Sequence, residues 1–383
     1  MSVTAAKGFR AAGVTAGLKA SGAPDVALVV NDGPTFAAAG VFTSNKIEAA
    51  PVTWSRQVIS DGRLDAVVLN SGGANACTGP EGFADTHRTA ERVAERLGLS
   101  AGDVAVCSTG LIGERLPMDK LLAGVDDAKG ALHVDGGEAA AVAIKTTDTV
   151  HKQAAVSVGG FTVGGMAKGA GMLAPGLATM LVVLTTDAVV ESAALDRALR
   201  EAVRTTFDRV DSDGCMSTND TVLLMASGAS GVAPEYEQFA AAVHEVCDRL
   251  ARQLIADAEG ATKDIRIDVV NAAAEDDAVT VARAVSRSNL LKCAIHGEDP
   301  NWGRVISAAG TTDAVFDPAR IAVAINGVWV CRDGAPGAPR DDVDMTGREV
   351  VITVDLHAGD ASATVWTNDL TAMYVHENSA YST

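Results

Sequence analysis

The chain has 383 residues, 31 Lys and Arg against 49 Asp and Glu, a formal charge of −18 and 48% hydrophobic residues. That composition belongs to a folded protein with room for one large domain or two to three ordinary ones, and it excludes disorder. With aromatics at 4% and a strongly negative balance, it lacks the basic face and stacking rings that a nucleic-acid binder needs.

In chain order, the start MSVTAAKGFRAAGVTAG breaks into Gly and polar residues and carries no secretory apolar core. No run approaches the ~18 apolar residues of a membrane span, so a cytoplasmic protein is expected. Apolar runs predict strands at 25–30, 65–70, 103–107, 154–158, 161–166, 179–186, 221–226, 265–270, 321–325, 349–355 and 362–366. Amphipathic periodicity predicts helices at 82–97, 117–125, 190–208, 234–258 and 274–287. In the fourth of these, Phe239, Val243, Val246, Leu250 and Leu254 form a buried stripe. Pro300 and Asn301 predict a further helix start at Asn301–Arg304, its Trp302 indole packing rather than binding. The mixture reads as α+β or α/β. Cys77, Cys107, Cys215, Cys247, Cys293 and Cys331 are scattered without a CxxC pair and read as reduced thiols. The seven histidines lack metal-ligand spacing, so no metal is expected.

Between Gly159 and Gly176 the chain reads GGFTVGGMAKGAGMLAPG, with seven glycines and one proline, and runs into LATMLVVLTTDA. A tight turn packed against a neighbour is the plain reading. A phosphate loop is excluded, because Lys168 is followed by Gly169-Ala170 and a strand rather than by Ser or Thr and a helix. Thr179 sits between this leader, with Pro175 and Ala178 at its end, and an apolar strand. A threonine so placed is either an ordinary strand residue or a self-cleaving nucleophile. In the second case its hydroxyl attacks the carbonyl of Ala178 and an N→O shift forms an ester, which water then releases. The freed α-amine, with an ordinary pKa of about 7.7–8.0, then serves as base for its own hydroxyl. The β-branch restricts χ1 and favours that geometry.

Upstream, CSTGLIG (Cys107 to Gly113) follows a predicted strand and is either an ordinary strand-to-loop turn or a pair of oxyanion donors. Cys107 is a weaker candidate nucleophile, with no histidine nearby in sequence. Compact polar strings occur at Ile144–Thr149 (IKTTDT), Ser217–Thr221 (STNDT), Asp257–Lys263 (DAEGATK), Gly297–Arg304 (GEDPNWGR) and Glu377–Thr383 (ENSAYST). Glu259, at a Gly stop after a long helix, reads by itself as a solvated carboxylate.

Taken together, CSTGLIG, KGAGMLAPGLATMLVVLTTDA, DAEG, DPNWGR and ENSAYST occur in this order in a chain that resembles the ornithine acetyltransferase family, also called bifunctional glutamate N-acetyltransferases. The resemblance runs from GFRAAGV to the last residue, and its ATML motif is the most specific part. It implies an α+β fold, a layered αββα sandwich of the ornithine acetyltransferase and β-aminopeptidase kind. It also implies cleavage between Ala178 and Thr179, leaving residues 1–178 (an α piece) and 179–383 (a β piece) associated as α2β2. By motif, Thr179 corresponds to the nucleophile and Thr109 and Gly110 to the oxyanion donors. Thr146, Lys168, Thr179, Glu259, Asn378 and Thr383 correspond to the substrate-binding residues. Cys107 stands for a more usual Ala, Lys145 for Met and Ala170 for Ser, which slightly changes the pocket's shape. The implied reaction carries an acetyl group from N2-acetylornithine to glutamate through an acetyl-Thr179 ester, in arginine biosynthesis. It needs no cofactor, although acetyl-CoA is open as a second donor. The alternatives are an N-terminal-nucleophile aminopeptidase, with water as acceptor, and a non-catalytic amino-acid-binding protein.

Overall fold

A computed structural model describes residues 2–174 and 180–380. Two compact units divide the chain. One comprises Met1–Asp208 and Cys215–Leu254, and the other Arg209–Gly214 and Ile255–Ser382.

The first unit is a layered α+β sandwich. One sheet has the order β1 (Phe9–Val14), β2 (Val26–Asn31), β4 (Ala66–Asn70) and β5 (Val104–Ser108). The other runs β3 (Ala37–Phe42), β9 (Thr221–Ala226), β8 (Leu181–Thr186), β7 (Phe161–Lys168) and β6 (Lys152–Val158). Strands β2, β4, β5, β8 and β9 are buried along their whole length, which explains why they read as unbroken apolar runs rather than as alternating ones. A single core joins Val29 and Val67 of one sheet to Met166, Val183, Leu223 and Met225 of the other. Helices α2 (Gly79–Leu97), α3 (Met118–Gly130) and α4 (Gly137–Ala143) pack on the first sheet. On the second sheet α5 (Ser192–Thr205) packs against β3. α6 (Tyr236–Ala256) brings Leu250 against Gly165, where a Cβ would come within 3.2 Å of its Cδ1. Helix α1 (Ala50–Val58) closes the exposed edge of β5. There Ser55 Oγ donates to Val106 O (2.7 Å) and accepts from Val106 N (2.9 Å), and Trp54 Nε1 donates to Val104 O (3.0 Å).

The second unit is built on a six-stranded sheet in the order β13 (Ala335–Pro336), β12 (Val328–Arg332), β11 (Ala322–Ile325), β14 (Glu349–Asp355), β10 (Asp264–Ala272) and β15 (Ala361–Asn368). Along β10 burial alternates, so Ile265, Ile267 and Val269 face the core while Arg266 and Asp268 face away. Helices α7 (Glu275–Ser286), α8 (Asn289–His296) and α9 (Trp302–Ala309) cover that face. The last helix described is α10 (Ala372–Ala380). Asn301 caps α9, its side chain accepting from Arg304 N, and Trp302 packs against the core as expected.

Every predicted strand and helix has a counterpart, with ends shifted by a few residues. The strand expected from 179 starts at Leu181, and residues 175–179 lie outside the described residues. Within the glycine-rich stretch, a tight turn forms at Gly159 and Gly160, and the chain bends again at 170–172, where Met172 has φ 58°. Both glycines of the tight turn have positive φ (59° and 87°) and close the β6–β7 hairpin. Gly164 and Gly165 lie in β7, where a Cβ would meet Ser2 O at 2.3 Å and Leu184 Cδ2 at 2.6 Å, so their smallness serves packing rather than turning. Strands β1, β3, β12 and β13 and helices α1, α4, α8 and α10 were not expected. Among the described residues no helix is long and apolar enough to cross a membrane.

Candidate active site

The first cluster forms at the end of β5. Beyond Ser108 the chain stays extended: Thr109 N donates to Asn70 O (3.0 Å), and Thr109 bridges to Gly73. Gly110 then has φ 131°, and a Cβ there would come within 2.8 Å of Gly73 N and 2.9 Å of Gly73 Cα. Only glycine fits this position, since both the backbone angle and the neighbouring backbone exclude a side chain. Asn219 braces the same end, its Nδ2 donating to Ala74 O (2.6 Å) and Ser108 O (2.8 Å).

Lys168 ends β7, is 1% exposed, and donates from Nζ to Thr109 Oγ1 at 3.1 Å. Two residues that are 59 positions apart, both singled out from the sequence, are thus hydrogen-bonded. Thr146 joins them through Asp148. Asp148 Oδ2 accepts from Thr146 N (2.9 Å), while its Oδ1 accepts from Gly169 N (2.6 Å) and Lys152 Nζ (2.6 Å). The Asp148 and Lys152 side chains are both fully buried. Burial by itself would raise the Asp148 carboxyl, but the charges of Lys168 and Lys152, with the hydrogen bonds from Lys152 and Gly169, outweigh it and hold the group at about 2. Lys19 approaches the same loop, donating to Lys145 O (2.6 Å) and Pro24 O (2.9 Å). Burial lowers its ammonium to about 8, with Lys168 and Lys145 adding to the shift and Asp25 and Asp148 opposing it.

A second carboxylate meets the chain just before β8. Met180 N donates to Asp220 Oδ1 at 2.9 Å, and Thr221 N donates to Met180 O at 3.1 Å. Asp220 is completely buried, and its Oδ2 has no hydrogen-bond partner among the described residues. In the second unit, Asn378 Nδ2 on α10 donates to Glu259 Oε2 at 2.9 Å and to Tyr374 O at 3.0 Å. Glu259 is 9% exposed, so the solvated carboxylate read from its local sequence is corrected: α10, a long-range neighbour, covers it. Ala178, Thr179 and Thr383 lie outside the described residues.

Cys107 is excluded as a nucleophile. It is 2% exposed within β5, and burial pushes its thiol up to about 12, leaving almost no thiolate at neutral pH. Cys107→Ala is expected to keep turnover within about threefold of wild type. Alkylation of the native protein with iodoacetamide, read by peptide mass spectrometry, should leave Cys107 unmodified.

Asp148, Lys152, Asn219, Asp220 and Lys19 were not singled out from the sequence. Asp148 belongs to IKTTDT, and Asn219 and Asp220 belong to STNDT. The signal available was an acidic residue inside a short polar string that leads into an apolar strand.

The chemical capacity of the first cluster is clear from its parts. It holds a hydroxyl and a glycine amide side by side after a strand, and a buried ammonium against the hydroxyl. A buried ion pair, Asp148 with Lys152, fixes the neighbouring loop. Such a group can hold an anionic or polarised oxygen away from water.

Comparison with known proteins gives a consistent result. The ArgJ family matches residues 10–383. The arginine biosynthesis bifunctional protein ArgJ of Streptomyces coelicolor is 72% identical, with 100% of both chains covered. The protein of the same name from Thermobifida fusca is 64% identical over 100% of both chains. Among solved structures, an ornithine acetyltransferase complexed with ornithine from Mycobacterium tuberculosis is 62% identical over 47% of this chain and 96% of its own, with a TM-score of 0.45. An ArgJ protein from Bacillus halodurans is 34% identical over 51% of this chain and 97% of its own, with a TM-score of 0.48. With the family match reaching from residue 10 to residue 383 and identity of 72% along the full length, the chain belongs to the ArgJ family of arginine-biosynthesis acyltransferases.

Proposed function

We propose that this enzyme carries an acetyl group from N2-acetylornithine to glutamate by a ping-pong route through an ester on Thr179. Thr179 is first freed by self-cleavage after Ala178. The observation that supports this reading best is the buried Lys168–Thr109 hydrogen bond, 3.1 Å long, beside Gly110. The acetyl carbonyl oxygen turns toward the Thr109 hydroxyl and the Gly110 amide. The Thr179 α-amine takes the proton of its own hydroxyl, the hydroxyl oxygen bonds to the acetyl carbon, and ornithine leaves with the proton. Glutamate then attacks the ester through its own amine, giving N-acetylglutamate and restoring the Thr179 hydroxyl. One amide is broken and one is made, so the exchange is nearly balanced in energy and its barrier is lowered by positioning and by charge stabilisation. Water must be kept out, because it would hydrolyse the ester.

Thr146, Lys168, Thr179, Glu259, Asn378 and Thr383 bind the substrates in this proposal. Lys168 takes a carboxylate and Glu259 an amino group. The pieces 1–178 and 179–383 remain together and pair as α2β2 in the cytoplasm. No cofactor is required. Acetyl-CoA as a second donor finds support in the word bifunctional in the relatives' names, and separate assays with each donor decide it.

Steady-state kinetics tests the route. Double-reciprocal plots against acetylornithine at several glutamate concentrations are expected to be parallel. Intersecting lines would rule out the acetyl-enzyme. Release of ornithine and acetate in equal amounts without glutamate would instead identify a hydrolase.

A further inference from the structure

In the mature enzyme the free amine of Thr179 serves as base, but the precursor has no such amine, because that nitrogen is still an amide. Self-cleavage therefore needs another proton acceptor near Thr179. The Met180 nitrogen belongs to the peptide bond that follows Thr179, only a few covalent bonds from the Thr179 hydroxyl. Asp220 Oδ1 accepts from this nitrogen at 2.9 Å. The other oxygen, Oδ2, is buried and has no hydrogen-bond partner among the described residues. A buried carboxylate oxygen left without a partner is costly and calls for an explanation, a catalytic role among them. Asp220 has no part in the acetyl transfer proposed above.

From this geometry we infer that Asp220 is the proton acceptor for self-cleavage at Thr179. The inference rests on the Thr179 nucleophile of the proposed function. In the first step the Thr179 oxygen bonds to the carbonyl carbon of Ala178 and its proton passes to Asp220 Oδ2. The Ala178–Thr179 C–N bond then breaks, and the proton returns from Asp220 to the departing nitrogen, which becomes the α-amine. Water next adds to the ester carbon and the Oγ–C bond breaks. The products are the Ala178 carboxylate and the free Thr179 hydroxyl. No other co-reactant is needed.

The surroundings suit a base that works near neutral pH. Burial pushes the Asp220 carboxyl well above its ordinary value, and Asp208 adds to this. The Met180 amide, the Lys168 ammonium and the Ser217 hydroxyl oppose it without cancelling it. Asp220 would thus be protonated more readily than an exposed carboxylate, as a proton shuttle requires.

The test follows maturation of the full chain made by cell-free translation, with precursor and fragments separated by gel and mass spectrometry across pH 6–9. Asp220→Asn keeps the shape and the acceptor for Met180 N–H but removes the basic oxygen. It is expected to fold and to mature about 100-fold more slowly, or less than that rate can detect. Its residual rate should be flat with pH, while the wild-type rate rises with pH and then levels. Asp220→Asn maturing at the wild-type rate would overturn the inference and leave the Thr179 nucleophile standing. Should Asp220→Asn fail to fold, the wild-type profile decides: a maturation rate constant across that range overturns the inference, and a rising one supports it. Wild-type protein that never separates at Ala178–Thr179 would sink both the inference and the proposed function.

Discussion

Thr179→Ala is expected to remain a single chain of 39.0 kDa and to lose acetyl transfer by at least about 10⁴-fold, as removal of a covalent nucleophile does. Without the hydroxyl no N→O shift can start, so the α-amine is never released, and no acetyl ester can form. Thr179→Ser tests the same point from the other side. Serine keeps the hydroxyl and loses only the methyl group that restricts χ1, so it should still mature and transfer acetyl, at about a tenth of the wild-type rate. Intact-mass spectrometry reads the cleavage, and ornithine release reads the transfer. Thr179→Ala that separates into two fragments would place the nucleophile elsewhere.

Asp148→Ala is expected to lose about 3–5 kcal/mol of stability, the usual cost of breaking a buried ion pair by removing one member. Lys152 is fully buried and would lose its hydrogen bond and ion pair to Asp148, and the Gly169 and Thr146 amides would lose their acceptor. Urea unfolding measures the loss. Because Asp148 ties Thr146 to the residue after Lys168, the surviving folded enzyme should also show KM raised about 10-fold or more, as a slightly misplaced binding group does. Unchanged KM would detach this ion pair from substrate binding. The pH dependence follows from the sign of the shift. The folded value, about 2, lies below the ordinary 3.8. The stabilisation from Asp148 is therefore complete above about pH 4 and is lost as pH falls through its folded value. Acid unfolding of Asp148→Asn should lack this part of the wild-type transition, and the two stability curves should converge toward pH 2.

Much of the fold was legible locally. Strands such as Ala66–Asn70, Thr221–Ala226 and Glu349–Asp355 are continuous apolar or β-branched runs, and their pattern needs no partner to be recognised. The stripe of α6 and the Asn301 cap of α9 were equally plain. By contrast, β1 (FRAAGV) and β3 (AAAGVF) are rich in Ala and Gly, which have little strand preference. They become strands because β2 and β9 offer them a ladder. Helix α4 has seven residues, and α10 has no apolar stripe, so neither shows a clear period.

The sequence by itself determined the family, the ATML motif and the residue types of the site, because these are linear patterns that survive without knowledge of neighbours. Only the tertiary structure decided that Lys168 would reach Thr109, that Asp148 would tie Thr146 to Gly169, and that Asp220 would be sealed against Met180. Burial and pairing of a polar group depend on segments far away in the chain. An aspartate in a polar string looks the same on paper in water or in a core, and only the packing around it sets what its charge costs and what it can do.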